Sequence, residues 1–366
     1  MSSSLPSTMQ AQILAAFNQP YQLTTLPLPT PTDYDLLIEV GAASYCHTDL
    51  VYASGAMGDT LPLIPCHEFA GTIVSAGPLA FSAVPALSLG TRVGVPGRSY
   101  RPCTTCWECR NNDGDPEGYS VACPKGGNLG ITMNGGFSQY ALVDARQVAR
   151  LPDELTEIEA APLMCAGLTI FAALLKCGLN KGGKVGIIGC GGGLGHLGLQ
   201  FGFQMGLEVV GVDASDEALK LARSLETKAK IFDARTTKAE VLLTEIGEGA
   251  DKKTKGESGL DAVLILPENQ RGFDYGMKLL RNHGKCVVLS FPTSGFQVSA
   301  SDLVFRDIQV IGSLVGKNRV LKQMLAFAAE KNVRAVTRTY PLRDLNDLVE
   351  EYQTGKGGKL VIDMTL

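Results

Sequence analysis

The sequence predicts a two-part α/β chain in which a β-rich N-terminal region precedes a doubly wound parallel sheet. Three observations carry that prediction. Residues 1 to about 155 are rich in proline, glycine and β-branched residues and hold short apolar runs divided by turns. Near residue 157 the rhythm changes to a long apolar run with helical spacing. Beyond it, short fully apolar runs alternate with helical segments, the pattern of buried parallel strands joined by crossover helices.

In chain order, LLIEVGAA (36–43), FAGTIVSAG (69–77) and TRVGVPG (91–97) read as strands of the first region. EIEAAPLMCAGLTIFAALLKCG (157–178) reads as one helix, and its closing Gly178 suits a C-cap. KVGIIG (184–189), EVVGVD (208–213), AKIFDA (229–234), LDAVLIL (260–266) and KCVVLS (285–290) read as buried strands. SDEALKLARSLE (215–226) and NQRGFDYGMKLLR (269–281) supply helices between them, so the crossovers should be right-handed. The polar run GEGADKKTKGESG (247–259) is expected to be an exposed loop. VLKQMLAFAAEKNV (320–333) reads as a helix, and the tail ends on the strand KLVIDM (359–364).

Composition narrows the function classes. A chain of 366 residues has room for about two domains, and 45% hydrophobic with 19% charged residues describes a folded enzyme-like protein. The net charge of −4 is spread over interspersed acids and bases, with no basic stripe for nucleic acid. MSSSLPSTMQAQILAAF lacks a basic n-region and a sustained apolar h-region, so no secretory signal is expected. The longest apolar run (185–203) is broken by glycines and His196, which argues against a membrane span. The expectation is a cytoplasmic protein whose ten cysteines are thiols or metal ligands rather than disulfides.

A glycine-rich turn, GCGGGLGHLG (189–198), follows a predicted strand and opens a helix, where amide donors can meet a pyrophosphate. Read literally, G-x-G-x-x-G fails, because Cys190 stands where the first glycine belongs when counting back from Gly195 through Gly192. A turn one residue longer, on Gly189, Gly192 and Gly195 with Gly193 and Leu194 inside it, restores the pattern; a plain tight βα turn is the alternative. Asp213 closes the next strand, where a carboxylate bonds a ribose 2′-hydroxyl and repels a 2′-phosphate, which favours NAD over NADP.

Two sets of metal-ligating residues stand out. SYCHTDL (44–50) and PCHEFAG (65–71) supply Cys46, His67 and Glu68, and the 157–178 run carries Cys165. Two thiolates and an imidazole suit a catalytic zinc with an open fourth position. Taken singly, Cys165 also fits a core position and His67 a satisfied turn histidine. Cys103, Cys106, Cys109 and Cys123 fit disulfides, an iron–sulfur cluster, a zinc site or no site at all.

The strings CHTDL, HEFAG, GGFSQYALV (135–143), APLMCAGLT (161–169) and GGLGHLGLQ (192–200) resemble the zinc-dependent medium-chain alcohol dehydrogenases, the yeast-type branch most of all. The resemblance runs from about residue 10 to 366 with the motifs in order. It implies a GroES-like catalytic domain over 1–166, with a structural zinc lobe about 98–127. A Rossmann NAD-binding domain would follow over 167–314, and the segment 315–366 would return to the catalytic domain. It implies two zinc ions per chain: a catalytic one on Cys46, His67 and Cys165, the Cys₂His set for which this family is the standard example, and a structural one on Cys103, Cys106, Cys109 and Cys123. By the same resemblance Glu68 lies beside the metal, Asp49 receives the second imidazole N–H of His67, and Thr48 takes the alcohol proton. His47 would contact the cofactor pyrophosphate and Thr169 the nicotinamide. The implied reaction passes hydride between a small-molecule alcohol and NAD, in a homodimer or homotetramer. A polyol or formaldehyde-type dehydrogenase is the alternative, and a scaffold relative without activity a remote one.

The chain also departs from the family pattern. Val51 stands where many relatives carry a proton-relaying histidine, and Asn318 in VGKNR (315–319) takes an arginine's register. The spacer from Cys109 to Cys123, with NNDGDPEG (111–118), is longer than the family's and reads as an exposed insertion. Met57 and Arg98 replace two bulky tryptophans of the substrate pocket, which points to an alcohol larger than ethanol, with Arg98 available to a polar group.

Overall fold

A computed structural model describes residues 5–97, 100–110, 121–249, 254 and 256–366. The chain divides into two compact units, one of Met1–Leu168, Gly316–Thr354 and Lys359–Leu366, the other of Thr169–Val315 with Gly355–Gly358.

The first unit begins with the hairpin β1 (Thr8–Ile13) and β2 (Gln22–Pro27). A larger sheet is built on β3 (Asp35–Ser44), which pairs antiparallel with β4 (Glu68–Ala76) and, along its first half, with β6 (Tyr140–Asp144). β5 (Arg92–Pro96) and the short β7 (Ala149–Arg150) extend it on one side. Leu36, Ile38 and Val40 of β3 join Phe69 and Ile73 of β4 in its core. Burying such aliphatic and aromatic side chains supplies about 1.5–3 kcal/mol each.

The second unit is a six-stranded parallel sheet: β8 (Lys184–Ile188), β9 (Glu208–Asp213), β10 (Lys230–Asp233), β11 (Leu260–Ile265), β12 (Leu280–Val288) and β13 (Gln309–Gly312). Their spatial order is β10-β9-β8-β11-β12-β13. The order reverses between β8 and β11, which is the switch point of a doubly wound nucleotide-binding fold. Val185, Ile187 and Ile188 of β8 and Val263, Leu264 and Ile265 of β11 are all buried, so both faces of these strands are covered, as the apolar runs required.

The chain then returns to the first unit. The helix Asn318–Glu330 leads to β14 (Thr337–Tyr340), and β15 (Lys359–Asp363) inserts antiparallel against the end of β3, with Val361 opposite Ser44. Asn318 donates from Nδ2 to Arg146 O at 2.6 Å, anchoring that helix to the segment before β7.

Two expectations need correction. The run 157–178 is not one helix but three pieces: Glu157–Ala160, a 3-10 turn Ala161–Met164 and the helix Ala166–Cys177, bent by 52°. Pro162 opens the 3-10 turn, where its missing N–H costs nothing, and Cys165 adopts φ −120°, ψ −66° at the break. Gly178 does close the last piece, at φ +65°. The loop 247–259 is not wholly exposed, because Glu248 is buried and pairs with Lys184 at 2.9 Å. Among the described residues, no single helix is long and apolar enough to cross a membrane.

Candidate active site

Two adjacent strand ends build the first centre. Ala43 near the end of β3 lies opposite Phe69 near the start of β4, so Cys46 and the pair His67–Glu68 leave neighbouring positions in the sheet. The third arm comes from the break at Cys165. One donor atom from each of Cys46, His67, Glu68 and Cys165 lies within 4.8 Å of all the others. Cys46 Sγ and Cys165 Sγ are 3.9 Å apart. That is far beyond a disulfide of about 2.05 Å. It matches the edge of about 3.8 Å expected for a tetrahedron with zinc–sulfur bonds of about 2.3 Å.

Asp49 braces this centre. Its carboxylate accepts the backbone N–H of Cys46 at 2.9 Å and that of Cys66 at 3.2 Å, and lies 3.4 Å from His67 Nδ1. One buried side chain thus ties both strand ends and faces the imidazole. The approach is tight elsewhere too: a Cβ on Gly97 would sit 2.1 Å from His67 Cβ, so only glycine fits there.

The charges are arranged around a shared deficit. The Cys165 thiol, and after it Lys359 and His67, hold Cys46 well below the ordinary thiol range against burial, while Cys46 and burial push Cys165 well above it. The two thiols are therefore coupled, each setting the direction of the other's shift. Burial opposes charge on His67, but Asp49 and Cys46 outweigh it. Burial raises the Glu68 carboxyl to about 8 despite Lys359. Lys359, the first residue of β15, contacts Glu68 Oε1 and donates to Tyr45 O at 2.8 Å. Yet both ring nitrogens of His67 and Glu68 Oε2 are buried with no hydrogen-bond partner. Leaving such atoms unpaired costs about 1–3 kcal/mol each. A divalent cation between two sulfurs and an imidazole relieves that cost at His67 Nε2 and favours the deprotonated thiolates. The donor set fits zinc.

The remaining predicted residues fall around this centre or on the second unit. Thr48 Oγ1 lies 3.9 Å from Cys46 Sγ on the helix His47–Ala53, with His47 exposed at its start. Met57 is half-buried against the core of the first unit. Arg98 and the insertion 111–118 lie outside the described residues. Thr169 is buried in the second unit.

The four cysteines of the lobe also converge, with all four sulfurs within 4.8 Å of one another. The Cys106–Cys123 and Cys103–Cys123 separations are 3.9 and 3.8 Å. These again match a tetrahedral edge of about 3.8 Å around zinc. Backbone amides of Cys103, Cys106 and Cys109 donate to sulfurs of the set, which favours the thiolate. The lobe is rooted on Asp35 of β3, which accepts Tyr100 Oη at 2.9 Å and Arg101 Nε at 3.1 Å.

In the second unit the glycine turn joins β8 to the helix Gly195–Gln204. Gly189 takes φ +87°, and a Cβ on Gly195 would meet Gly189 O at 2.1 Å. Gly192, Gly193 and Leu194 fill the turn between them. Gly191, which the sequence pattern did not single out, packs so closely that a Cβ would lie 2.0 Å from Ala218 O. Its N–H donates to Asp213 Oδ2 at 2.9 Å, tying the turn to the end of β9.

Lys359 was also missed. A lysine opening a short strand carries no signal of its own, and its partner Glu68 is 291 positions away.

A β-rich unit with a cysteine–histidine centre, joined to a doubly wound sheet with a glycine turn, defines a zinc-binding dehydrogenase. Residues 32–153 match the alcohol dehydrogenase GroES-like domain family and residues 193–330 the zinc-binding dehydrogenase family. The chain is 33% identical over 361 residues to an alcohol dehydrogenase of Moraxella sp. strain TAE123, covering 98% of this chain and 100% of that one. It is 32% identical over 357 residues to an alcohol dehydrogenase of Geobacillus stearothermophilus, covering 97% and 99%. The crystal structure of the alcohol dehydrogenase from Aeropyrum pernix superposes with a TM-score of 0.82 at 26% identity, covering 97% of this chain and 99% of that one. The chain belongs to the zinc-binding alcohol dehydrogenase family, with its GroES-like and Rossmann-like domains. It is therefore an oxidoreductase that uses zinc and a nicotinamide cofactor on small-molecule alcohols or aldehydes.

Proposed function

We propose that this chain is a NAD-linked alcohol dehydrogenase of the yeast-type branch, with one catalytic and one structural zinc, acting on alcohols larger than ethanol. The observation that carries the catalytic part is the convergence of Cys46, His67 and Cys165 around buried donor atoms that lack partners. Zinc held there supplies a Lewis acid for the substrate oxygen, and the nicotinamide a hydride acceptor. Thr48 Oγ1 takes the alcohol proton beside Cys46. Val51 has no group to pass it on, so the proton would leave Thr48 by another route or more slowly. Asp49 holds His67 in one tautomer. His47 and the turn at Gly189–Gly195 receive the pyrophosphate, Thr169 the nicotinamide, and Asp213 the ribose.

The catalytic domain is assigned to residues 1–166, with the zinc lobe about 98–127, the NAD-binding domain to 167–314 and the returning segment to 315–366. A homodimer or homotetramer is supported by Val304 and Phe305, which are 71% and 81% exposed near the sheet's outermost strand β13. The loss of two indoles at Met57 and Arg98 supports the larger substrate.

Turnover of a panel of aliphatic, aromatic and functionalised alcohols with NAD and NADP, followed at 340 nm, tests the reading. Aromatic or functionalised alcohols should exceed ethanol in kcat/KM with NAD; preference for ethanol or for NADP sinks the corresponding part. For the structural ion, Cys123→Ser should lower zinc by about one ion per chain and destabilise the fold. Unchanged metal content would refute the four-cysteine assignment.

A further inference from the structure

The end of β10 carries a charge cluster that the proposed chemistry does not use. Asp233, the last residue of β10, is the register partner of Asp213, the last residue of β9. The next residue, Ala234, donates its N–H to Asp213 O at 2.9 Å. Arg235 follows, so its side chain is rooted one residue from the carboxylate that is to receive the adenosine ribose. Its guanidinium is committed twice. Nε lies 3.0 and 3.1 Å from the two Asp233 oxygens, Nη2 lies 2.7 Å from Asp233 Oδ2, and Nη2 also contacts Asp216. The Arg235 backbone N–H donates to Asp233 Oδ1 at 2.8 Å, which fixes the turn that presents the side chain. Asp216 is itself in the first turn of the helix that follows β9 and is largely exposed. Arg235 draws the Asp233 carboxyl down to about 2 and lowers that of Asp216.

A guanidinium at this place has the planar donor fork that binds phosphate. In doubly wound dehydrogenases an arginine near the acidic ribose position is what admits a 2′-phosphate. Here the arginine is present but its guanidinium is held by two carboxylates, Asp216 and Asp233, at the strand end next to that of Asp213. Asp213 is equally committed: it accepts N–H groups of Gly191 at 2.9 Å, Ala214 at 2.8 Å and Ser215 at 3.3 Å. Its charge is therefore held in place at the strand end.

We propose that Arg235 is a second determinant of cofactor choice, a phosphate-competent guanidinium silenced by Asp233 and Asp216 beside Asp213, and that releasing it turns this rim into a 2′-phosphate site. The proposal rests on the NAD reading of Asp213 and deepens it. Neutralising Asp213 alone removes repulsion but leaves the fork occupied. Neutralising Asp216 as well removes one of the two negative charges that hold Nη2, while Asp233, still 2.7 Å from Nη2, keeps the side chain oriented.

The test uses the full chain and two probes, 5′-AMP and adenosine 2′,5′-bisphosphate, with dissociation constants measured by calorimetry and independent of turnover. Asp213→Asn is used because an amide oxygen still accepts the Gly191 N–H. Wild-type protein should bind 5′-AMP more tightly than the bisphosphate. The pair Asp213→Asn with Asp216→Asn should bind the bisphosphate about tenfold more tightly than Asp213→Asn alone, the gain from one charge-assisted contact. Adding Arg235→Gln should abolish that gain without changing 5′-AMP affinity, and Arg235→Lys, which keeps charge but not the fork, should restore only part of it. A double variant that gains nothing, or a gain that survives Arg235→Gln, overturns the role of Arg235 while leaving the NAD reading intact. Wild-type protein that prefers the bisphosphate overturns the NAD reading itself.

Discussion

Replacing Lys359 with methionine is expected to lower the melting temperature by roughly 6–20 °C, from a cost of about 3–5 kcal/mol for orphaning one partner of a buried pair at about 2–4 °C per kcal/mol. Lys359 and Glu68 are 5% and 0% exposed at their side chains, and Glu68 Oε2 already lacks a partner. Without the ammonium, the whole carboxylate has none. The double variant Lys359→Met with Glu68→Gln should recover most of the loss, because replacing both charges removes the uncompensated one. In metal-free protein the deficit should also depend on pH. Burial already raises Glu68 from the usual 4.5 to about 8, and losing Lys359 raises it further. A carboxyl whose folded value lies above its unfolded one loses stability as pH rises from the unfolded to the folded value, so from pH 4.5 to 8 both proteins weaken in parallel and the variant's extra deficit grows only as pH rises above 8. Melting curves of the two variants across that range decide it; a single variant melting with wild type at every pH would show that the pair is not carrying the charge of Glu68. The same substitution has a functional face. Glu68 lies within 4.8 Å of the three zinc-binding candidates, and freed from Lys359 it competes with substrate for the open position.

The parts of this molecule that were legible in the sequence are those where local pattern and final environment coincide. Strands β8, β9 and β11 are buried on both faces, so their unbroken apolar runs could mean little else. The three-residue spacing of Cys103, Cys106 and Cys109 brings their sulfurs together within one short turn, whatever the rest of the chain does. Legibility failed where a long-range contact decides the outcome. The apolar pattern of 157–178 runs unbroken across Pro162, yet the chain breaks at Cys165, and it is this break that aims the third sulfur at Cys46. Lys359 acquires its role only because β15 inserts beside β3, placing the tail of the chain behind His67–Glu68. Asn318 looked like a lost arginine, whereas its amide is spent on Arg146 O. The register of β3 against β15 decides the placement of Lys359, and nothing within either segment encodes it.

Asp49→Ala should weaken metal binding at the Cys46–His67–Cys165 centre by about 10–100-fold, the usual effect of removing the group that orients a histidine ligand. It should also destabilise the first unit by about 2–6 kcal/mol, since two buried amide donors lose their acceptor at about 1–3 kcal/mol each. The two effects have one origin. Cys46 N–H and Cys66 N–H belong to different strand ends, and Asp49 is the acceptor common to both. Cys66 sits at φ +81°, a conformation that cysteine adopts only when its surroundings impose it, and the Asp49 contact is one of the restraints. Asp49→Asn separates the contributions. Its amide oxygen can accept one of the two N–H groups, but its NH₂ faces the other, and it carries no charge to favour the imidazole N–H. The asparagine variant should therefore regain part of the stability while retaining most of the metal defect. Chelator competition gives the affinity of each zinc in turn, and the structural ion, held by a separate set of four sulfurs, serves as the internal reference. If both variants hold the first ion as tightly as wild type, the strand ends converge without Asp49, and its carboxylate is a helix cap and nothing more.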